Sequence, residues 1–137
     1  MTIEAAIIGR LLGDASFSLA TGSRVDLMRR PGPSLPAVTL QMVSDPRRQF
    51  YKGWQVRRAR GQIDIWAASP GAAIMLREAA IAILTPAAQA AGIDFDRAEV
   101  ADVRGGMGDA EPATDAQPQG EIYRETIDFI FIHRIAS

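Results

Sequence analysis

Residues 57–84 read RRARGQIDIWAASPGAAIMLREAAIAIL, and a change of period inside this stretch decides the fold. Up to Ala67 the residues alternate. Ala59, Gly61, Ile63, Ile65 and Ala67 fall on one side, and Arg58, Arg60, Gln62, Asp64 and Trp66 on the other. One apolar and one polar side at period two is the pattern of a strand with one buried face. The alternation predicts a long strand from Trp54 to Ala67. Ser69-Pro70 then suits a helix start, with serine as N-cap and proline in the first turn. Ala73, Ile74, Leu76, Ala80, Ile81, Ile83 and Leu84 recur at helical spacing, which predicts a helix up to about Pro86.

The same two periods organise the chain on both sides. Upstream, Thr2 is a candidate N-cap for a helix through Ile3, Ile7, Ile8, Leu11 and Leu12, ended by Gly13. Asp14 caps a shorter turn from Ala15 to Ala20, closed by Gly22. Arg24 to Arg30 suits a short strand, and Pro31, Gly32, Pro33 and Pro36 forbid regular structure after it. Ala37 to Ser44 alternates again, with Val38, Leu40 and Met42 against Thr39 and Gln41. Downstream, a short helix is expected over Ala87 to Ala91, a strand over Phe95 to Val103, and a closing strand from Glu121 to Ile135. Tyr123, Ile127, Phe129, Phe131 and Ile135 share one side of that last strand, and Arg124, Thr126 and Asp128 the other. Long strands joined by short turns predict an α+β fold: a mostly antiparallel sheet with helices packed on one face. Ile63, Ile65, Phe129 and Phe131 are the expected core. The chain of 137 residues fits one domain, 1–137, with a long mobile loop at about 105–119.

Composition narrows the chemistry. The net charge is −1, which makes no demand for nucleic acid or a membrane surface. There is no cysteine, so disulfides, thiolate metal sites and cysteine nucleophiles are excluded. The N-terminal MTIEAAIIGRLLGD reads as an amphipathic helix rather than a leader, because Glu4 and Arg10 interrupt its apolar residues. The one histidine, His133, has no second histidine or cysteine to make a metal site, so it reads as structural or solvent-facing. Gly105, Gly106 and Gly108 suggest a phosphate loop, but Asp109, Glu111 and two prolines follow, and no helix starts there. Asp94, Asp96, Glu99 and Asp102 lack the spacing of a calcium loop, and no serine sits in a G-x-S-x-G turn. No catalytic, cofactor-binding or metal-binding residue is assigned, and no cofactor is expected.

Charge segregation is more informative. Arg47, Arg48, Lys52, Arg57, Arg58 and Arg60 place six bases within fourteen positions with no acid among them. Seven acids lie between Asp94 and Asp115, including Asp109, Glu111 and Asp115 in the 105–119 stretch. Three explanations fit. In the first, this is a solvated sheet face, with Arg58 and Arg60 paired across strands to Asp64, Asp128 or Glu125. In the second, a basic edge of one copy meets an acidic edge of the next, a head-to-tail contact that closes into a ring when the rotation allows. In the third, nucleic acid runs along the bases, stacking on Phe50, Tyr51 and Trp54. The net negative charge argues against the third.

Taken together, EAAIIGRLL (4–12), the proline-rich turn into AVTLQMVS, RARGQIDIWAASPGAAIMLREAA (58–80) and YRETIDFIF (123–131) resemble the tail completion, or tail terminator, proteins of long-tailed bacteriophages and gene transfer agents. The resemblance covers essentially the whole chain and rests on patterns rather than an invariant motif. It implies a mixed sheet with packed helices and no catalytic residues. It also implies a homo-oligomeric ring, commonly a hexamer, that caps the tail tube and joins it to a head-side connector or stopper protein. The implied location is the tail of a virion at the head–tail junction, after synthesis in the bacterial cytoplasm, with DNA passing through the channel without specific binding. On this basis the candidate subunit or partner interface comprises Arg47, Arg48, Lys52, Arg57, Arg58, Arg60, Asp109, Glu111 and Asp115. The alternative is a small α+β ligand-binding domain or enzyme of unrecognised type, with a pocket between the 70–84 helix and the sheet and with His133 or Asp128 as its reactive group.

Overall fold

The computed structural model describes residues 2–46, 56–107 and 122–135. Its elements run α1 (Ile3–Leu12), α2 (Ala15–Thr21), β1 (Val25–Leu27), β2 (Ala37–Ser44), β3 (Arg57–Ala67), α3 (Pro70–Leu84), β4 (Ala88–Ala90), β5 (Ile93–Met107) and β6 (Tyr123–Ile135). The six strands form one sheet in the order β1-β2-β3-β6-β5-β4. Only β1 and β2 pair in parallel; every other neighbouring pair is antiparallel. The helices lie on one face, with α3 across β3 and β6 and α1 against α3, β1 and β4.

The helix ends follow their capping chemistry. Thr2, Asp14 and Ser69 each accept a backbone N–H three residues on, and Pro70 sits in the first turn of α3 where no N–H is needed. The inward face of α3 is Ala73, Leu76, Ala80 and Leu84. Small residues there let the helix approach the sheet closely.

β3 and β6 are the centre of the core. Ile63, Ile65, Ile127, Phe129 and Phe131 are all fully buried. Phe131 stacks on Phe129 at 5.3 Å between ring centres and meets Phe95 edge-on at 6.0 Å. Gly61 makes this possible. A Cβ there would stand 3.0 Å from the Phe131 ring and 3.1 Å from the Met42 sulfur, so the missing side chain is the space those two occupy.

Four details differ from the sequence expectation. The Ala87–Ala91 segment is not a helix but contains the edge strand β4. Five residues are too few to nucleate a helix alone, and Ala91 and Gly92, both at positive φ (47° and 77°), close a two-residue hairpin into β5. The first short strand is confined to Val25–Leu27, since Met28 turns the chain away at φ 68°. Ile135 shares the side of Ile127 but is 56% exposed at the strand's end. Finally, β5 continues through Gly105, Gly106 and Met107, pairing with Glu125, Arg124 and Tyr123, so the ladder takes up residues expected in the loop. Residues 108–119, the rest of that expected loop, lie outside the described residues, as do Trp54, Gln55 and Glu121 at the expected strand starts.

Replacing Phe129 with alanine should cost about 3–5 kcal/mol of unfolding free energy, measured by urea titration. Wild-type stability in that variant would mean that this face is not the core.

Candidate functional site

The side of the sheet away from the helices carries the polar half of each alternation. Register decides which charges meet there. Gln62 stands opposite Asp128, Asp64 opposite Thr126, and Arg60 and Arg58 opposite Ile130 and Ile132. Asp64 therefore accepts from the Thr126 hydroxyl, and from Gln62 Nε2 at 3.0 Å. Arg104 on β5 bridges two acids, Asp128 at 2.6 Å and Asp102 at 2.8 Å. Its hydrogen bond holds the Asp102 carboxyl below the usual carboxylate range, and the hydrogen bonds to Asp128 and Asp102 raise the Arg104 guanidinium. A carboxyl depressed in this way favours the fold above its unfolded value, and that contribution disappears as pH falls through the folded one. At so exposed a position, salt screens it.

The expected partners of Arg58 and Arg60 are thus corrected. Isoleucines occupy the β6 positions opposite them, and Asp64, Asp128 and Glu125 are engaged elsewhere. Arg58 reaches over β6 to Glu99 on β5 at 3.6 Å, and Arg97 shares that carboxylate at 3.1 Å. Arg58 and Arg60 are exposed and Arg57 is half-buried. Arg47, Arg48, Lys52, Asp109, Glu111 and Asp115 lie outside the described residues.

At one end of this face, Trp66 is flanked by Arg30 and Arg124, 5.0 and 5.2 Å from its ring centre, and its indole N–H donates to Thr39 Oγ1. A cleft of about 430 Å³ opens beside it between Trp66 and the 28–33 loop. On the helical layer, an apolar groove of about 520 Å³ runs between α2 and α3, lined by Phe17, Ala20, Met75, Ala79 and Ile83. Met75 is 75% exposed and nearby helical Leu19 85%. Exposed apolar side chains of this size suit a protein partner.

The reactive groups considered in the sequence do not converge. His133 is buried against the Phe95 ring at 6.2 Å, with Nδ1 3.4 Å from the Phe131 carbonyl. Asp94 pairs with Arg134 at 3.2 Å and Asp128 with Arg104. Gly105 and Gly106 belong to strand β5 rather than to a loop that opens a helix. Among the described residues no three metal-ligating side chains cluster.

Two charged contacts escaped the sequence. Glu125 sits on the apolar side of β6, 8% exposed, where its Oε1 accepts from Arg77 Nη1 of α3 at 3.2 Å. Its Oε2 and the Arg77 Nε have no hydrogen-bond partner among the described residues. Gly105 lies directly beneath: a Cβ there would stand 2.8 Å from Oε2. The one visible signal was an acid in an otherwise apolar alternation. Arg10 of α1 lies over the Phe95 ring at 4.8 Å and donates to the carbonyls of Ile83 and Pro86, closing the open end of α3. Burial lowers its pKa.

A family model described as Tail completion protein gp17 matches residues 5–130. No curated protein matches the chain. Among solved structures, the chain is similar to one described as belonging to the virion of a native gene transfer agent particle. The two are 16% identical with a TM-score of 0.63, over 96% of this chain and 94% of that one. At that identity the likeness is one of fold.

Arg77→Met should cost on the order of 3 kcal/mol, because it strands the Glu125 carboxylate in the core. Adding Glu125→Leu should recover most of the loss, since no buried charge then remains. Urea titrations of the two single variants and the double variant read the coupling directly.

Proposed function

The chain belongs to the tail completion protein gp17 family, structural components of phage tails, and from that premise we propose that it forms a ring at the head–tail junction. The ring, taken as a hexamer, caps the finished tail tube and joins it to the head-side connector or stopper protein. The observation that carries this reading is the family match across residues 5–130. The likeness in fold to a chain of a gene transfer agent virion supports a place in a particle of that kind.

The surface chemistry is compatible with the role. A ring subunit needs protein-binding surfaces rather than an active site. The apolar groove beside Met75 offers one such surface. The exposed Arg58 and Arg60, beside the half-buried Arg57, offer a second, suited to acids of another copy or of a neighbour. DNA must pass through such a ring without being gripped. A chain of net charge −1, with sheet-face charges paired to one another, suits that passage.

Purified protein mixed with bare tail tubes should cap the tube ends as rings, seen by electron microscopy and by light scattering. Protein that stays monomeric and never binds tube ends would overturn the proposal. Arg58→Glu with Arg60→Glu should reduce capping at least tenfold while changing stability by about 0.5 kcal/mol or less, as for other exposed substitutions.

A further inference from the structure

Among the described residues the sheet has two open edges, and they are open at the same level. β4 covers β5 only over Ile93–Phe95, and the Ala98 N–H is taken by the Thr85 carbonyl. Among the described residues, no strand pairs with the outer side of β5 at Val103, Arg104 and Gly105. At the opposite side of the sheet, β1 is the outermost strand.

The register connects one edge to the other without a break. Leu27 leads through Leu40, Ile63 and Ile127 to Val103. Asp26 leads through Thr39, Asp64 and Thr126 to Arg104, and Val25 through Val38, Ile65 and Glu125 to Gly105. One parallel and three antiparallel steps leave β5 antiparallel to β1.

The hydrogen-bonding groups also match. Val38 N–H donates to the Arg24 carbonyl, and Met28 N–H to the Leu40 carbonyl. Residues 24, 26 and 28 therefore turn their peptide groups toward β2, and Val25 and Leu27 turn theirs outward. Carried through the ladder, the same alternation turns Arg104 toward β6 and Val103 and Gly105 outward. The Val25 N–H is held by Ser23, and the Leu27 carbonyl accepts from Arg29. Among the described residues, the Val25 carbonyl and the Leu27 N–H remain to be paired.

We propose that copies of this chain join edge to edge, with β5 of one copy running antiparallel to β1 of the next. Leu27 N–H then donates to the Val103 carbonyl and Gly105 N–H to the Val25 carbonyl. Leu27 and Val103, 49% and 39% exposed in the lone chain, cover each other on the helix side. On the other side Asp26 faces Arg104, an opposite-charge cross-strand pair. A second copy is the occupant because it supplies, at the matching level, the complementary charge and the complementary peptide groups. The contact is head-to-tail, so it closes into a ring when the rotation per copy allows, and it rests on the ring proposed above.

The absence of cysteine makes the junction directly testable. Within one copy, positions 26 and 104 are four strand spacings apart, roughly 19 Å, too far for a disulfide. Across the junction they are direct neighbours. Particles assembled with the Asp26→Cys/Arg104→Cys chain should, on mild oxidation, give covalent oligomers up to the closed ring on non-reducing gels. Each single-cysteine chain should give monomer only, as should a Gln89→Cys/Arg104→Cys control. Leu27→Cys/Val103→Cys, which spares the Arg104 ion pairs, should give the same ladder. Particles that carry rings of this chain but cross-link through neither pair would overturn the edge junction and leave the ring intact as a reading. Particles without any ring of this chain would overturn both.

Discussion

The pairing of β3 with β6 is the constraint on which the rest of the structure depends. Eleven consecutive residues of each strand pair without a register shift, from Arg57 with His133 to Ala67 with Tyr123. Because the pleat has period two, a slip of β3 by one residue would turn Ile63 and Ile65 outward and Asp64 inward, against a β6 whose Phe129 and Phe131 still face the core. Gly61 makes the correct register the one that fits, since it leaves the space into which Phe131 and Met42 pack. α3 then lies over this pair with Ala73, Leu76, Ala80 and Leu84 inward, and α1 packs beside it on the same face.

That constraint also sets the electrostatics. By placing Ile130 and Ile132 opposite Arg60 and Arg58, it directs the arginines outward and along the sheet instead of onto the nearest acids. Asp64 and Asp128, held among Thr126, Gln62 and Arg104, become structural parts of the polar face. Glu125 is forced onto the apolar face by the same alternation, and the fold accommodates it with Arg77 above and a glycine below. These acids thus serve internal organisation. What remains for partners is the exposed Arg58 and Arg60, apolar surface on the helical layer and, among the described residues, open ladder groups at two sheet edges.

Much of this was legible in the sequence. The strand-to-helix switch at Ala67–Pro70, the N-caps Thr2, Asp14 and Ser69, and the core faces of β3 and β6 follow from local rules, and the resemblance to tail completion proteins rests on those same segments. The Ala87–Ala91 segment was not legible. Alanine favours helix locally, but the edge of β5 and the turn at Ala91-Gly92 favour a strand there. Nor were the partners of Arg58 and Arg60, because partner choice needs the register between strands far apart in the chain.

The sequence by itself determined where the helices α1, α2 and α3 begin and, for the long elements, their kind and apolar side, because capping, proline placement and periodicity act over a few residues. Only the tertiary structure decided which strands are neighbours, which charges meet and which edges stay open. Glu125 against Arg77 is 48 residues apart in the chain, and Asp26 and Arg104 share a level only through three intervening strands. Such relations depend on the packing of the whole sheet, and no local pattern encodes them.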